Sequence, residues 1–257
     1  MTDEPSVFSR TIFAAAVCAG ALGFAGSAAA LGPESLREGL FGPRASEGRQ
    51  ASAPPVARYV SEDGDGFTLD RTQSRPLLKF DNSYEVWVLQ PQPAPRGDVI
   101  YKNDLGEPVL RATRLGGVTI FTDQRPGGSA AALAGGGNPI RLLPLSPQAL
   151  VERLLQSSVR ASRAARHGIL FDAEATPISS AVIADAAQVT SLAVARMAER
   201  PDGRSKLARL QRVFLAEGRK VSAKLEKGTM MITVVSKLGL AGRPSSERIV
   251  QAADSAR

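Results

Sequence analysis

Asp98-Val99-Ile100-Tyr101-Lys102-Asn103-Asp104-Leu105-Gly106, followed after Glu107 by Pro108-Val109-Leu110-Arg111-Ala112-Thr113-Arg114, decides the fold of this chain. Two runs rich in strand-forming residues flank a cluster of turn formers, which is the arrangement of a β-hairpin. The same pattern continues in both directions. Upstream lie Arg58-Tyr59-Val60, Phe67-Thr68-Leu69, Leu77-Leu78-Lys79-Phe80 and Tyr84-Glu85-Val86-Trp87-Val88-Leu89. Glu62-Asp63-Gly64-Asp65-Gly66 and Asp81-Asn82-Ser83 punctuate them as turns. Downstream, Gly116-Gly117 leads into Val118-Thr119-Ile120-Phe121-Thr122. Short strands at even spacing predict an antiparallel sheet curled into a sandwich or an open barrel. The Tyr84–Leu89 run is apolar on nearly both faces and reads as a central strand. Pro91, Pro93 and Pro95 lack ladder donors and are expected to leave the sheet.

Beyond residue 145 the apolar period becomes helical. Ser146 precedes Pro147 as a cap, and Leu150, Val151, Leu154, Leu155 and Val159 make one stripe. A second helix opens at Thr176-Pro177 and buries Ile178, Val182, Ile183, Ala186, Val189, Ala193 and Met197 before Pro201 stops it. A third is expected from about Gly203 to Glu217, with Leu207, Leu210 and Phe214 inward and Gly218 at its end. Val221–Leu225 and Met230–Val235 read as a hairpin around Glu226-Lys227-Gly228, and Ser245-Ser246-Glu247-Arg248-Ile249 starts a closing helix. Between the two halves, Pro126-Gly127-Gly128-Ser129 through Gly135-Gly136-Gly137 reads as a linker. A phosphate-cradling loop is the rival, but the Gly-Lys-Ser/Thr ending is missing. The predicted class is therefore α+β. A β-rich part spans 57–125, a Gly-rich linker 126–145, and a mainly helical part with one hairpin 146–257.

The first thirty residues read as an export signal. An apolar run from Thr11 closes on Ser27-Ala28-Ala29-Ala30, with small residues at −3 and −1 of a cleavage point before Leu31. Residues 31–56, rich in Gly, Pro, Ala and Ser, follow as a flexible tether. The expected location is periplasmic or secreted. The alternative is an inner-membrane anchor through residues 12–30, a stretch just long enough to span a bilayer.

Composition narrows the chemistry. The only cysteine is Cys18, inside the signal, so the mature chain has neither disulfide nor thiol. The only histidine is His167, so a multi-histidine zinc site is excluded. His167 follows a helix end, where a cation complements the helix dipole, and no Gly-x-Ser-x-Gly elbow accompanies it. The Glu62–Gly66 loop fails the calcium-loop pattern, because Phe67 falls where an oxygen is needed. Arg96-Gly97-Asp98 is a three-residue match to an adhesion motif, without supporting context. No catalytic, cofactor or metal residue is assigned.

Charge is uneven: residues 31–140 carry 12 basic and 13 acidic residues, residues 141–257 carry 19 and 10. Arg153, Arg160, Arg163 and Arg166 share a partial helical phase. Arg196, Arg200, Arg204, Lys206, Arg209 and Arg212 cluster around Pro201. The plain reading is two solvated helix faces. The functional reading is an electrostatic seat for anionic lipid, lipopolysaccharide or envelope polymer. Nucleic acid is disfavoured, since Phe171 and Phe214 are the only aromatics in this half.

The strings Phe67-Thr68-Leu69-Asp70-Arg71, Arg96–Asp104, Leu110–Thr119 and Ala241-Gly242-Arg243-Pro244-Ser245-Ser246 resemble an exported proteobacterial family known only as a domain of unknown function. The resemblance covers about residues 57–253 and implies export with no assigned activity. It lends no catalytic residues. The expected function is a non-enzymatic envelope protein that binds or scaffolds. The alternative is a carboxylate-dependent hydrolase of an envelope polymer, because Asp and Glu can do acid–base work without His or Cys.

Overall fold

The computed structural model describes residues 53–255; the expected export signal and nearly all of the expected tether lie outside the described residues. The N-terminal half is built from β1 (Val56–Ser61), β2 (Gly66–Asp70), β3 (Leu77–Phe80), β4 (Val86–Val88), β5 (Gln90–Pro93), β6 (Val99–Lys102), β7 (Pro108–Ala112), β8 (Val118–Thr122) and β9 (Arg125–Gly136). Antiparallel pairing runs β1 to β2 to β3 to β4, and β5 to β6 to β7 to β8 to β9. β9 then returns to pair with β1. β4 and β5 are two halves of one extended segment broken only at Leu89, so both edges of the nine-stranded sheet fall on one stretch of chain. The sheet curls into a nearly closed up-and-down barrel.

Inward-pointing residues fill it. Tyr59, Phe67, Leu69, Leu78, Leu110 and Ile120 form one buried cluster, with the rings of Tyr59 and Phe67 stacked at 5.4 Å. A small barrel of this kind holds side chains rather than a channel. Full burial of each large apolar side chain contributes about 1.5–3 kcal/mol.

Three expectations are corrected here. The Gly-rich stretch expected to be a linker is β9, which pairs with β1 on one side and β8 on the other. Its small residues let it fit: Gly128 has φ +87°, and a Cβ there would meet the Phe121 ring. Placement by two neighbours overrides weak strand propensity. Second, Pro91 and Pro93 stay in the sheet, opposite Tyr101 and Val99. They are two residues apart, so both ring nitrogens can point away from β6, where no strand pairs. Third, the apolar run from Tyr84 is not a central strand. Tyr84 is exposed in the turn before β4. β4 is apolar on both faces for another reason: Val86 and Leu77 pack outward against Leu240, while Leu89 points into the barrel cluster.

The C-terminal half contains α1 (Pro147–Ala165), β10 (Leu170–Glu174), α2 (Ser180–Glu199), α3 (Gly203–Leu207), β11 (Arg212–Glu217), β12 (Ser222–Glu226), β13 (Thr229–Val234), a 3₁₀ segment (Ser236–Gly242) and α4 (Ser246–Asp254). The expected cap is present, Ser146 Oγ accepting from Ala149 N, and Ser245 Oγ caps the closing helix in the same way by accepting from Arg248 N. The expected hairpin is β12–β13, with Lys227 and Gly228 both at positive φ as a tight turn demands. It belongs, however, to a four-stranded sheet in the order β10-β11-β13-β12, with β10–β11 and β11–β13 parallel. The third helix stops at Leu207, and residues 212–217 are β11. There Val213 and Leu215 alternate inward and Phe214 does not, which is a strand period. Gly218 accordingly follows a strand rather than capping a helix.

α2 is the core helix of this half. It is long and apolar enough to cross a membrane, but most of it is buried inside the fold. Val182, Ile183, Val194 and Met197 pack with Val213, Leu215 and Ile232 of the sheet and with Ile249 of α4. Ile178, expected in this buried face, is exposed in the turn before it. Only part of the α1 stripe is buried. Leu150 and Ala161 face the core with Leu154 against it, while Val151, Leu155 and Val159 remain in solvent.

A buried arginine joins the two halves. Arg243, with a side chain 2% exposed, donates from Nη2 to the Val86 carbonyl at 2.7 Å and from Nε to Asp185 of α2. Glu85 lies 3.8 Å from its Nη1 and accepts from Ser246 N at 2.8 Å and Ser246 Oγ at 2.6 Å. Gly242 makes the approach possible, since a Cβ there would run into the Val235 carbonyl.

Candidate functional site

An up-and-down barrel collects alternate turns at each end. The turns β1–β2, β3–β4, β6–β7 and β8–β9 share one mouth, and they line a cleft of about 620 Å³. Asp65, Asn82, Glu107 and Asp123 come from those turns, and Phe80, Trp87 and Phe121 from the adjoining strands. Arg196 of α2 and Glu247 of α4 complete the wall from the other half. The cleft therefore exists only where the barrel mouth meets the helices.

The β6–β7 turn organises its base. Asn103 Oδ1 accepts from Leu105 N at 3.0 Å and Glu107 N at 2.8 Å, which fixes the turn. The Nδ2 group donates to Glu107 Oε2 at 2.8 Å and to Glu247 Oε2 at 2.6 Å. Two carboxyls thus converge on one amide. The next residue, Asp104, accepts from Ser245 Oγ at 2.6 Å and Arg248 Nε at 2.9 Å, so the turn is tied to the start of α4. Burial, with repulsion from Glu107 and Glu85, pushes the Glu247 carboxyl up to about 7. Arg196 opposes this only in part; its Nη1 donates to Ser246 Oγ at 2.8 Å. The site thus gathers more acidic groups than its one arginine offsets.

As functional candidates the sequence points only to Asp65, in the acidic loop that fails the calcium pattern, and to Arg196, in a cationic cluster. That cluster is largely neutralised. Arg200 pairs with Asp254 at 2.8 Å, and Lys206 reaches Asp202 and Asp254 at 2.7 Å each. Arg212 pairs with Asp172 at 2.7 Å. Among the described residues Arg204 has no acidic partner. On α1, Arg160 donates to Ser191 Oγ and lies over the Tyr84 ring at 5.3 Å, while Arg153, Arg163 and Arg166 have no ion pair among the described residues. Of the candidate cations, Arg200 and Lys206 meet at Asp254, and no shared acidic partner among the described residues joins the others.

The other motifs find local roles. His167 Nε2 lies 2.7 Å from the Leu210 carbonyl, just past the α1 end, where Arg166 adopts φ 61°. Asp98 of the adhesion-like tripeptide is buried against Arg111 of the neighbouring strand at 2.5 Å. Asp63 of the acidic loop accepts from Ser129 Oγ and from Arg125. Among the described residues no group of three or more acidic, His or Cys side chains is arranged to hold a metal.

No curated protein and no solved structure matches the chain. A family model matches nearly the whole described region and reaches upstream to residue 35. On that match, over residues 35–253, the chain belongs to the family described as Domain of unknown function (DUF4908).

Proposed function

We propose that this is an exported cell-envelope binding protein whose ligand site is the cleft at the barrel mouth, and that the ligand is a small organic cation. Export is supported by the apolar run that ends in Ser27-Ala28-Ala29-Ala30. The binding reading rests on one observation: Glu107 and Glu247 converge on Asn103 at the base of a cleft that Phe80, Trp87 and Phe121 line. Excess carboxylate calls for a positive charge, and aromatic faces within about 6 Å of a cation attract it further. The largest cleft with convergent polar groups is the default binding site of a fold.

Carboxylate-dependent hydrolysis is the second reading, favoured by a Glu247 that keeps its proton to about 7, as a general acid does. Geometry disfavours it. A hydrolytic pair leaves a gap for the scissile bond, and here the Asn103 amide sits between the two carboxyls.

Isothermal titration with choline, putrescine and methyl glucoside tests the proposal. The two cations are expected to bind and the neutral sugar not to. Above pH 7, where Glu247 is ionised, Glu247→Gln should weaken the cations roughly tenfold, equivalent to about 1.4 kcal/mol for one lost charge contact. Binding of the sugar alone, or cation binding untouched by Glu247→Gln, would sink the reading. Turnover of a polymer substrate abolished by Glu247→Gln would install the hydrolase in its place.

A further inference from the structure

α1 leaves an amphipathic face in solvent. Val151, Leu155 and Val159 follow one another at four-residue steps and are 56%, 60% and 48% exposed. Spacing by four keeps side chains on one helix row, and the next member of the row is Arg163. Arg166 follows at the helix end, and Arg153, also exposed, lies about 160° round the helix from Leu155. None of these three arginines has an ion pair among the described residues. Elsewhere in this half, Arg200, Lys206 and Arg212 are matched by Asp254, Asp202 and Asp172. Exposed apolar side chains and unmatched cations therefore coincide on one helix.

We infer that this face of α1 lies on an anionic lipid surface, with the apolar row at the level of the acyl chains and Arg163 and Arg166 at the phosphates. A surface helix of this type combines buried apolar area with attraction to anionic headgroups. Long arginine stems reach the headgroups while the aliphatic row goes deeper. Charge complementarity selects this occupant over a second copy. A two-fold contact through α1 sets the same face against itself and brings unmatched arginines together.

The test uses the full chain with Cys18→Ser and Leu155→Cys, carrying an environment-sensitive dye at position 155. Vesicles are phosphatidylcholine alone, or phosphatidylcholine with phosphatidylglycerol. Residues 12–30 are present in every sample, so the dye on α1 is the readout, not attachment of the chain. The expected result is a blue shift and brighter emission with phosphatidylglycerol and not without it, weakened by salt. A dye placed through Gln92→Cys on the barrel stays in water. Arg163→Glu with Arg166→Glu should weaken the response about tenfold, since each basic residue near an anionic surface adds attraction. An unshifted dye, an equal response to neutral vesicles, or a shift that grows with protein concentration without lipid would each overturn the proposal; the last would assign the face to a second copy.

Discussion

The two halves solve the strand-pairing problem in opposite ways. In the barrel every pairing but β1–β9 joins neighbours in sequence, and a turn of a few residues sets the register. In the C-terminal sheet β10 meets β11 in parallel only after the chain has passed through α2 and α3, and β11 meets β13 across β12. Local pairing needs little loop closure, whereas parallel pairing needs a crossover before any contact forms. Two distinct cores result, one inside the barrel and one between α2 and the sheet, with Arg243 between them.

Breaking that joint should have the largest effect. Arg243→Ala takes the guanidinium away from Asp185 and Glu85, and loss of one partner of a buried pair costs about 3–5 kcal/mol. Trp87 is the only tryptophan and sits in the barrel, so its fluorescence follows one half while far-ultraviolet circular dichroism follows the helices. The two transitions are expected to coincide in the native chain and to separate in the variant. Coincident transitions in both would mean that the halves are coupled by something other than Arg243.

Next come the cores. Leu110→Ala in the barrel and Leu215→Ala in the sheet each remove a fully buried side chain and should each cost about 2–5 kcal/mol in denaturant unfolding. In the native background each should shift both probes together. In the Arg243→Ala background each should shift only its own half, which would sharpen the contrast.

Ser146→Ala removes the α1 cap and should cost about 1 kcal/mol, read by circular dichroism. α1 packs mainly on α2 and meets the barrel through Arg160 over the Tyr84 ring, so Trp87 in the Arg243→Ala background should respond far less than the helical signal.

The smallest effect is one of slope. The unfolded chain releases the Glu247 proton near 4.5 and the folded chain near 7. Between those values the folded state holds a proton that the unfolded state has lost, so stability falls as pH rises through the window. Glu247→Gln should flatten that fall. Partial exposure of the carboxyl screens its size.

The contrast also explains what could be read in advance. Barrel strands were legible because alternation at Tyr59, Phe67 and Leu69, with turn chemistry at Asn103–Gly106, encodes pairing within a few residues. β9 was not, because glycine and alanine carry no strand signal and its place depends on β1 and β8. β10 and β11 were missed because Leu170–Glu174 and Arg212–Glu217 are too short to separate from helix by period alone, and their partners are far away. The cleft was illegible for a similar reason. Asn103 and Glu247 are 144 residues apart, and no motif links them. Only the Gly242-Arg243-Pro244-Ser245-Ser246 string hinted at the joint, as part of a resemblance rather than as a buried ion pair.

That joint also imposes an order of events. A chain is synthesised from its N-terminus, so the barrel can finish pairing long before residue 243 exists. Until then Glu85 has neither Ser246 nor Arg243 beside it, and Val86 presents a bare carbonyl. A barrel made without the last dozen or so residues would hold an unsatisfied carboxylate at its seam and an open cleft at its mouth. The arginine thus works as a late latch: the seam can close only once residues 243–246 reach Glu85 and the Val86 carbonyl.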